Sequence, residues 1–266
     1  MELEVAGSRV FAATGGRPFD RNGRALIFLH GSGMDHTVWN FQARRFAHHG
    51  CAVLAPDFPG HGRSAGAARR TIGDMAAWVV EAADTLGLKD IVLAGHSMGS
   101  LVALEAAARL GTRAQGMALI GTAARMAVHP DLLAAARVGE MKAVDMIVSW
   151  GFGERGTIGG NPAPGLWMRG YGRRLLERGL GGSSGGVLGT DLAACDAYQG
   201  AVEAAARIRC PAVVIWGEMD RMTPPKEAKA LAAAISGATT VAIAGCGHMT
   251  MLEEPAAISA AIARVT

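Results

Sequence analysis

The chain has 266 residues, of which 50% are hydrophobic and 18% are charged, and its formal net charge is +3. This composition is typical of a folded globular protein and excludes a disordered, fibrous or coiled-coil chain. The small excess of positive charge does not predict a nucleic-acid-binding surface.

Six short apolar runs predict buried parallel strands at 26–29, 51–55, 91–94, 117–120, 213–216 and 239–243. The runs are nearly continuous, which is typical of strands covered by helices on both faces. Apolar residues at helical spacing predict helices at 38–48, 72–86, 98–110, 225–235 and 255–265. This alternation predicts an α/β fold with a mostly parallel, doubly wound sheet. An edge hairpin from segments 3–5 and 10–13 brings the expected total to about eight strands.

The alternation breaks once, where about ninety residues separate the strand that ends at Ile120 from the strand that begins at Val213. This gap predicts an insertion at 122–208 on a core formed by residues 1–121 and 209–266. Helical spacing at 127–150 and 166–178 predicts that the insertion is an irregular helical cap. The Gly- and Ser-rich stretch 181–186 is the expected hinge of any cap motion, because it buries little and loses much entropy on ordering.

No export signal or membrane span is expected. The amino terminus is acidic and lacks the apolar region of a secretory signal. The longest apolar stretch, Ile91–Leu104, is shorter than the roughly 18 residues that a spanning helix needs. The four cysteines are far apart and lack metal-ligand spacing, which predicts reduced thiols in a cytoplasmic protein without a bound metal: Cys51, Cys195, Cys210 and Cys246.

The motif G-x-S-x-G at Gly95–Gly99 lies between a predicted strand and a predicted helix. In that context its serine, Ser97, occupies a tight turn and its hydroxyl is exposed as a nucleophile. The helix that follows begins with unpaired N–H groups, so the Met98 amide is expected to face an oxyanion. The motif therefore predicts a nucleophile and one half of an oxyanion hole.

A second donor is expected from His30-Gly31-Ser32-Gly33, which directly follows the strand at 26–29. The Ser32 amide is the predicted donor, and Gly31 and Gly33 are predicted to lie beside the substrate. The alternative interpretation is a simple glycine-rich turn at the end of a strand.

Asp220 and His248 follow the strands at 213–216 and 239–243. Because the carboxyl ends of parallel strands meet at one edge of a sheet, these side chains and Ser97 are expected to converge there. An imidazole can take the serine proton, and a carboxylate can orient that imidazole, so the three form a predicted catalytic triad. Glu218 is the alternative acid.

These motifs, together with Asp57–Ser64, stand in the order found in the α/β-hydrolase fold family, which the sequence resembles over nearly its whole length outside the insertion. The resemblance implies a cofactor-free serine hydrolase with a helical cap after the sixth strand. Ser32 and Ser100 depart from the glycines that many relatives have. A serine at position 97 also differs from the carboxylate nucleophile of the haloalkane dehalogenases and epoxide hydrolases of this fold.

The predicted activity is hydrolysis of small to medium, mostly apolar acyl esters through an acyl-enzyme, with the substrate and water as the only expected partners. Lactone cleavage and carbon–carbon bond hydrolysis are alternatives, and for the latter Arg125, Arg169 or Arg173 are the candidates to bind a substrate carboxylate. A non-catalytic ligand receptor is an alternative from another class. The sequence predicts no oligomeric state.

The remaining motifs have structural interpretations. The turn with Asp57 and Gly60-His61-Gly62 is expected to shape the backbone after its strand. Residues 151–156 fit G-x-G-x-x-G, but no helix is predicted after them, which argues against a dinucleotide site. Trp150 and Trp167 are candidates to line a substrate pocket under the cap.

Overall fold

The computed structural model describes residues 1–157, 167–181 and 186–266. Within them, eight strands form one sheet in the order β1-β2-β4-β3-β5-β6-β7-β8. Strands β3 to β8 are parallel to one another, whereas β1 pairs with β2, and β2 with β4, in antiparallel fashion. This sheet confirms the predicted fold class and the predicted edge hairpin. The strands are β1 Glu2–Val5, β2 Ser8–Ala13, β3 Ala25–Leu29, β4 Ala52–Pro56, β5 Ile91–His96, β6 Ala114–Ile120, β7 Ala212–Gly217 and β8 Thr239–Ile243.

Helices flank the sheet and connect its parallel strands. Five of them match the helices predicted from apolar spacing to within a few residues, and the first of these is preceded by a 3₁₀ turn at His36–Trp39. The α-helices are α1 Asn40–His48, α2 Ile72–Thr85, α3 Met98–Leu110, α4 Pro130–Arg137, α5 Met141–Gly151, α6 Glu154–Thr157, α7 Met168–Leu180, α8 Gly186–Ala197, α9 Ala201–Arg207, α10 Pro225–Ala234, α11 Thr250–Glu253 and α12 Pro255–Ile262.

The central strands are apolar throughout because the sheet has a hydrophobic core on each face. Along β3, Ile27 and Leu29 pack into one core with residues of α2 and α3. Leu26 and Phe28 point the other way, into a core shared with α1 and α12. Successive side chains of a strand alternate between faces, so both sets must be apolar.

Helices α4 to α9 lie between β6 and β7 in the chain, where the sequence predicts an insertion. Four of them, α4, α5, α7 and α8, pack on one another, whereas α9 packs on α3 and α10 beside the sheet. The predicted helical region 127–150 is divided into α4 and α5 at Gly139, whose φ of 74° is in the left-handed region. The predicted hinge 181–186 lies largely outside the described residues.

None of the helices in the described part of the chain is both long and apolar enough to cross a membrane. All four cysteines lie in that part and are present as free thiols.

Candidate active site

Ser97 lies on a strained turn between β5 and α3. Its φ of 53° and ψ of −121° are rarely adopted by a residue with a side chain, and such conformations cost about 1–3 kcal/mol. The flanking glycines are required sterically: a Cβ on Gly95 would collide with the Gly99 carbonyl, and one on Gly99 with the carbonyls of Leu29 and His30. Hydrogen bonds hold the turn, since Ser97 N–H donates to the Ile120 carbonyl at 2.9 Å.

Ser100, at a position where the family resemblance implies a glycine, supports the same turn. Its side chain is buried, and its Oγ donates a hydrogen bond of 2.6 Å to the Ser97 carbonyl. The substitution therefore adds a contact and leaves the turn intact.

Asp220 and His248 form a buried pair at the carboxyl ends of β7 and β8. His248 Nδ1 lies 2.8 Å from Asp220 Oδ2, which also accepts a hydrogen bond of 2.8 Å from Thr223 Oγ1. The backbone N–H groups of Met222 and Thr223 donate to Asp220 Oδ1, each at 2.8 Å. Burial disfavours ionisation of Asp220, but the adjacent imidazole and these donors lower the pKa of its carboxyl below the ordinary value. The aspartate is thus held ionised against the histidine ring.

Ser97 and His248 line one cavity of about 250 Å³. Within the described residues the Ser97 hydroxyl forms no hydrogen bond, so its Oγ is free at the cavity wall. Catalytic hydrogen bonds between nucleophile and base often tighten only when substrate is bound. The predicted residues of the triad are therefore brought to one site, with Asp220 rather than Glu218 against the imidazole.

The two amides predicted as oxyanion donors lie near Ser97. Met98 is the first residue of α3, where an N–H has no partner within the helix. Ser32 lines the cavity. Neither amide donates to another backbone group in the described part of the chain.

Gly31 and Gly33 have structural positions beside the cavity instead of lining it. A Cβ on Gly31 would lie 2.9 Å from His96 Nδ1 and 3.3 Å from Ser97 Cβ, so only glycine allows this close packing. Gly33 has a φ of 66°, and its N–H donates to Asp191 Oδ2 at 2.8 Å. This amide is therefore already occupied by a protein acceptor.

Asp191 belongs to α8 and connects that helix to the loop that carries Ser32. Its Oδ2 also accepts a hydrogen bond of 2.8 Å from His61 Nε2, and both side chains are buried. His61 Nδ1 lies 3.0 Å from the Pro59 carbonyl, so both ring nitrogens face acceptors and both must donate. Burial opposes a charge on His61, but Asp191 raises the pKa of the imidazole above its ordinary value. We call this contact the Asp191–His61 pair; no sequence motif indicates it.

Glu253 is a second buried acid near the histidine loop. Its Oε1 accepts from Gly247 N–H at 2.9 Å and its Oε2 from Gly153 N–H at 2.8 Å. Burial raises the pKa of this carboxyl to about 7, although both amides favour its charged form. The side chain joins the loop that precedes His248 to the segment between α5 and α6.

His30 and His96 are buried histidines with structural contacts, as expected. His30 Nε2 accepts from Phe58 N–H at 3.2 Å, and burial lowers the pKa of the ring to about 4. His96 Nε2 lies 3.0 Å from the His248 carbonyl, and burial lowers the pKa of that ring well below its usual range. Both rings are therefore neutral near neutral pH.

The Asp57 turn is held by hydrogen bonds. Asp57 Oδ1 accepts from both His36 N–H and His36 Nδ1, and Oδ2 accepts from Arg63 N–H at 2.9 Å. Asp35, His36 and Asp57 are close enough to share a cation, but Asp35 is already engaged by Arg178 at 2.7 Å. Because protein donors satisfy these carboxylates, the cluster is a structural network.

The structure brings Trp150 to the cavity but not Trp167, which is 73% exposed and packs over Gly170. None of the three predicted carboxylate-binding arginines lines the cavity either. Arg173 pairs with Asp145 and Glu177, Arg169 bonds the Val148 carbonyl, and Arg125 is exposed. The cavity is instead lined by Arg221, which is not among the arginines predicted from the sequence.

Two known proteins are similar to this chain in sequence. An (E)-2-((N-methylformamido)methylene)succinate hydrolase from Acinetobacter baylyi is 42% identical over 81 residues, which is 30% of this chain and 30% of that protein. The dihydrolipoyllysine-residue acetyltransferase component of an acetoin cleaving system from Cupriavidus necator is 28% identical over 94% of this chain and 64% of its own length. The matched regions thus span less than two thirds of each of these two relatives.

Among solved structures, an enol-lactonase from Burkholderia xenovorans superposes with a TM-score of 0.86 at 25% identity, covering 100% of this chain and 99% of that chain. The model of a family described as "Alpha/beta hydrolase family" matches residues 26–261. This match includes the serine turn, the Asp220 loop and the His248 loop. The chain therefore belongs to the alpha/beta hydrolase family.

Proposed function

We propose that the protein is a serine hydrolase that cleaves carboxylic esters of small to medium, mostly apolar acyl groups. In this proposal Ser97 is the nucleophile, His248 is the base, and Asp220 is the carboxylate that orients the imidazole. We also propose residues 122–208 as a cap on a core of residues 1–121 and 209–266. This function is more specific than family membership, because the fold hosts several hydrolytic reactions.

The observation that carries the proposal is the placement of a strained serine and a carboxylate-bound imidazole on one cavity wall. A serine hydroxyl is a weak nucleophile unless a base takes its proton as it attacks. His248 Nδ1 is held by Asp220, which leaves Nε2 as the ring nitrogen available for that proton. An ionised Asp220 also stabilises the imidazolium that forms.

The remaining steps use groups at the same site. Ser97 Oγ attacks the acyl carbon, and the amides of Ser32 and Met98 stabilise the oxyanion of the tetrahedral intermediate. His248 then donates its proton to the leaving alcohol, and the acyl group remains on Ser97. His248 next takes a proton from water, whose oxygen attacks the acyl-enzyme. As the bond between the acyl carbon and Ser97 Oγ breaks, His248 returns that proton to Oγ and the acid is released.

The test compares a panel of short-chain esters on the wild type, Ser97→Ala and the control Ser236→Ala, whose serine is exposed and lies outside the cavity. We expect ester turnover by the wild type and the control, and loss of turnover by a factor of about 10⁶ in Ser97→Ala. Turnover by Ser97→Ala at the wild-type rate would refute the mechanism. Absence of turnover of all esters by the wild type would refute the substrate class.

Lactone cleavage is the second candidate, because the enol-lactonase is similar over the whole chain. A lactone is a cyclic ester, so the same nucleophile and oxyanion donors serve both reactions. The panel therefore includes lactones matched in carbon number to the open-chain esters. A higher kcat/KM for the lactones would favour this second candidate.

Carbon–carbon bond hydrolysis and non-catalytic ligand binding are tested by adding a diketone-type acid to the panel. Cleavage of a diketone-type acid by the wild type would extend the bond class beyond esters. A receptor would bind ligands in the cavity without turning them over. The alignment of His248 with Asp220 supports catalysis over simple binding.

A further inference from the structure

We propose that the cavity selects esters whose acyl chain ends in a carboxylate, and that the Arg221 guanidinium binds this group. This inference rests on the proposed function and names its substrate class. The charges that line the cavity are its first support.

The described cavity wall has no group that is negative near neutral pH. Its ionisable side chains are Arg221, His129, His248 and Cys195. Arginine is always positive, and histidines are either neutral or positive. Burial raises the pKa of the Cys195 thiol to about 12, so the thiol stays protonated. The described part of the wall therefore carries a net positive charge.

Arg221 is exposed, and no group among the described residues pairs with its charge. No hydrogen bond or ion pair of its guanidinium forms within residues 1–157, 167–181 and 186–266. Its neighbour Asp220 is turned inward, and both of its oxygens are occupied by His248, Thr223 and the Met222 amide. The carboxylate nearest in sequence is thus already used by the proposed triad.

The rest of the wall suits a methylene chain. About half of the other lining side chains are apolar. Arg221 itself is exposed, so its guanidinium is accessible to an anionic group that enters the cavity. A planar guanidinium matches a carboxylate with two parallel hydrogen bonds, which makes arginine selective for this anion. The larger apolar lining residues are Met126, Val128, Leu132, Trp150, Leu192 and Met222.

The described residues of the wall thus include a nucleophile, an apolar stretch and the guanidinium of Arg221, which has no partner among them. An acyl chain that is apolar along its length and anionic at its end satisfies all three. A neutral chain leaves the guanidinium unpaired, and a charged group in mid-chain would contact the apolar wall. The half-ester of a linear dicarboxylic acid is the simplest molecule of this class.

The test uses two esters that differ only at the end of the chain. Methyl hydrogen adipate and methyl hexanoate have the same number of acyl carbons, but one ends in a carboxylate and the other in a methyl group. Proton release gives kcat/KM for each ester, and their ratio measures selectivity. We expect the wild type to prefer the adipate half-ester, mainly through a lower KM.

The ratio should fall by about 5-fold in Arg221→Gln, because solvent weakens the interaction of an exposed guanidinium with a carboxylate to about that factor. Arg221→Lys keeps the positive charge but lacks the planar pair of N–H donors, so it should give an intermediate ratio. Arg264→Gln is the matched control, since Arg264 is exposed and lies outside the cavity wall, and its ratio should equal that of the wild type. An unchanged ratio in Arg221→Gln, or a wild-type preference for methyl hexanoate, would overturn the inference.

A binding measurement separates this inference from the proposed function. Adipic acid monoamide and hexanamide are the corresponding amides, and calorimetry on Ser97→Ala measures their Kd without turnover. Arg221-dependent binding of the monoamide, with no hydrolysis of either ester by the wild type, would support the anion site and refute the esterase. Ester hydrolysis without Arg221-dependent binding would support the esterase and refute the anion site.

Discussion

Removing the carboxylate of the Asp191–His61 pair should destabilise the fold more than any surface substitution. Both side chains are fully or almost fully buried, and the pair shares one oxygen with the Gly33 N–H. Breaking a buried ion pair by removing one partner costs about 3–5 kcal/mol, because the other charge remains buried without compensation. We therefore expect Asp191→Ala to lower the free energy of unfolding by that amount.

Asp191→Asn should cost less, about 1–3 kcal/mol. An amide oxygen in the same position can still accept from Gly33 and His61, but it brings no negative charge. His61 must then lose a proton, and with it the hydrogen bond to Pro59. Thr190→Ala lies on the same helix and is the control, because it leaves both hydrogen bonds of Asp191 in place. Its stability should stay within about 0.5 kcal/mol of the wild type.

Urea denaturation at about pH 6 and about pH 9 measures these differences and their sign. The pKa of His61 is raised in the folded state. The pair therefore stabilises the fold fully at pH values below the ordinary imidazole pKa of 6.5, and this stabilisation is lost as the pH rises through the folded-state pKa. The difference in free energy of unfolding between the wild type and Asp191→Asn should therefore be smaller at the higher pH. Equal stability of Asp191→Ala and the wild type, or equal losses in Asp191→Ala and Asp191→Asn, would refute this reasoning.

Three further substitutions test other parts of the site. Asp220→Asn should fold normally but lower kcat by about 10⁴, because the imidazole loses its charged partner; a near-normal kcat would assign the acid elsewhere. Glu253→Gln should become more stable relative to the wild type by up to about 3 kcal/mol as the pH rises from about 5 to about 8. The reason is that the folded-state pKa of Glu253 is raised, so the wild type loses stability as this carboxyl ionises. If urea denaturation gave the same difference in free energy of unfolding at both pH values, the prediction would be wrong. Gly99→Ala should lower the free energy of unfolding by at least about 3 kcal/mol, because the new Cβ would collide with backbone carbonyls. Gly23→Ala is the control, since a Cβ there would make only ordinary van der Waals contacts. Equal melting temperatures of the two variants would refute the steric account.

The sheet and the three residues of the proposed triad could be predicted because their signals are local. Each central strand is apolar on both faces. Ser97 follows β5 directly, and Asp220 and His248 lie in the loops just after β7 and β8, so parallel topology brings all three to one edge. The glycines around Ser97 are likewise explained by the backbone of one turn.

The cavity wall could not be predicted in the same way, because it depends on long-range contacts of the insertion. Trp167 fits a helical pattern but lies on the exposed side of its segment. Arg173 pairs with Asp145 of α5 and with Glu177 on its own helix. Arg221 follows the predicted acid directly, yet no pattern shows which way its side chain points. Asp191 meets His61 across 130 residues of chain, a separation at which spacing carries no information.

The most direct test of the proposed chemistry is to react the wild-type protein with a fluorophosphonate and to locate the modified peptide by mass spectrometry. We predict one adduct, on Ser97, formed in step with the loss of ester turnover and prevented in His248→Ala, which lacks the base. Modification of a different residue, or full turnover by protein carrying the adduct on Ser97, would contradict the nucleophilic role of that serine.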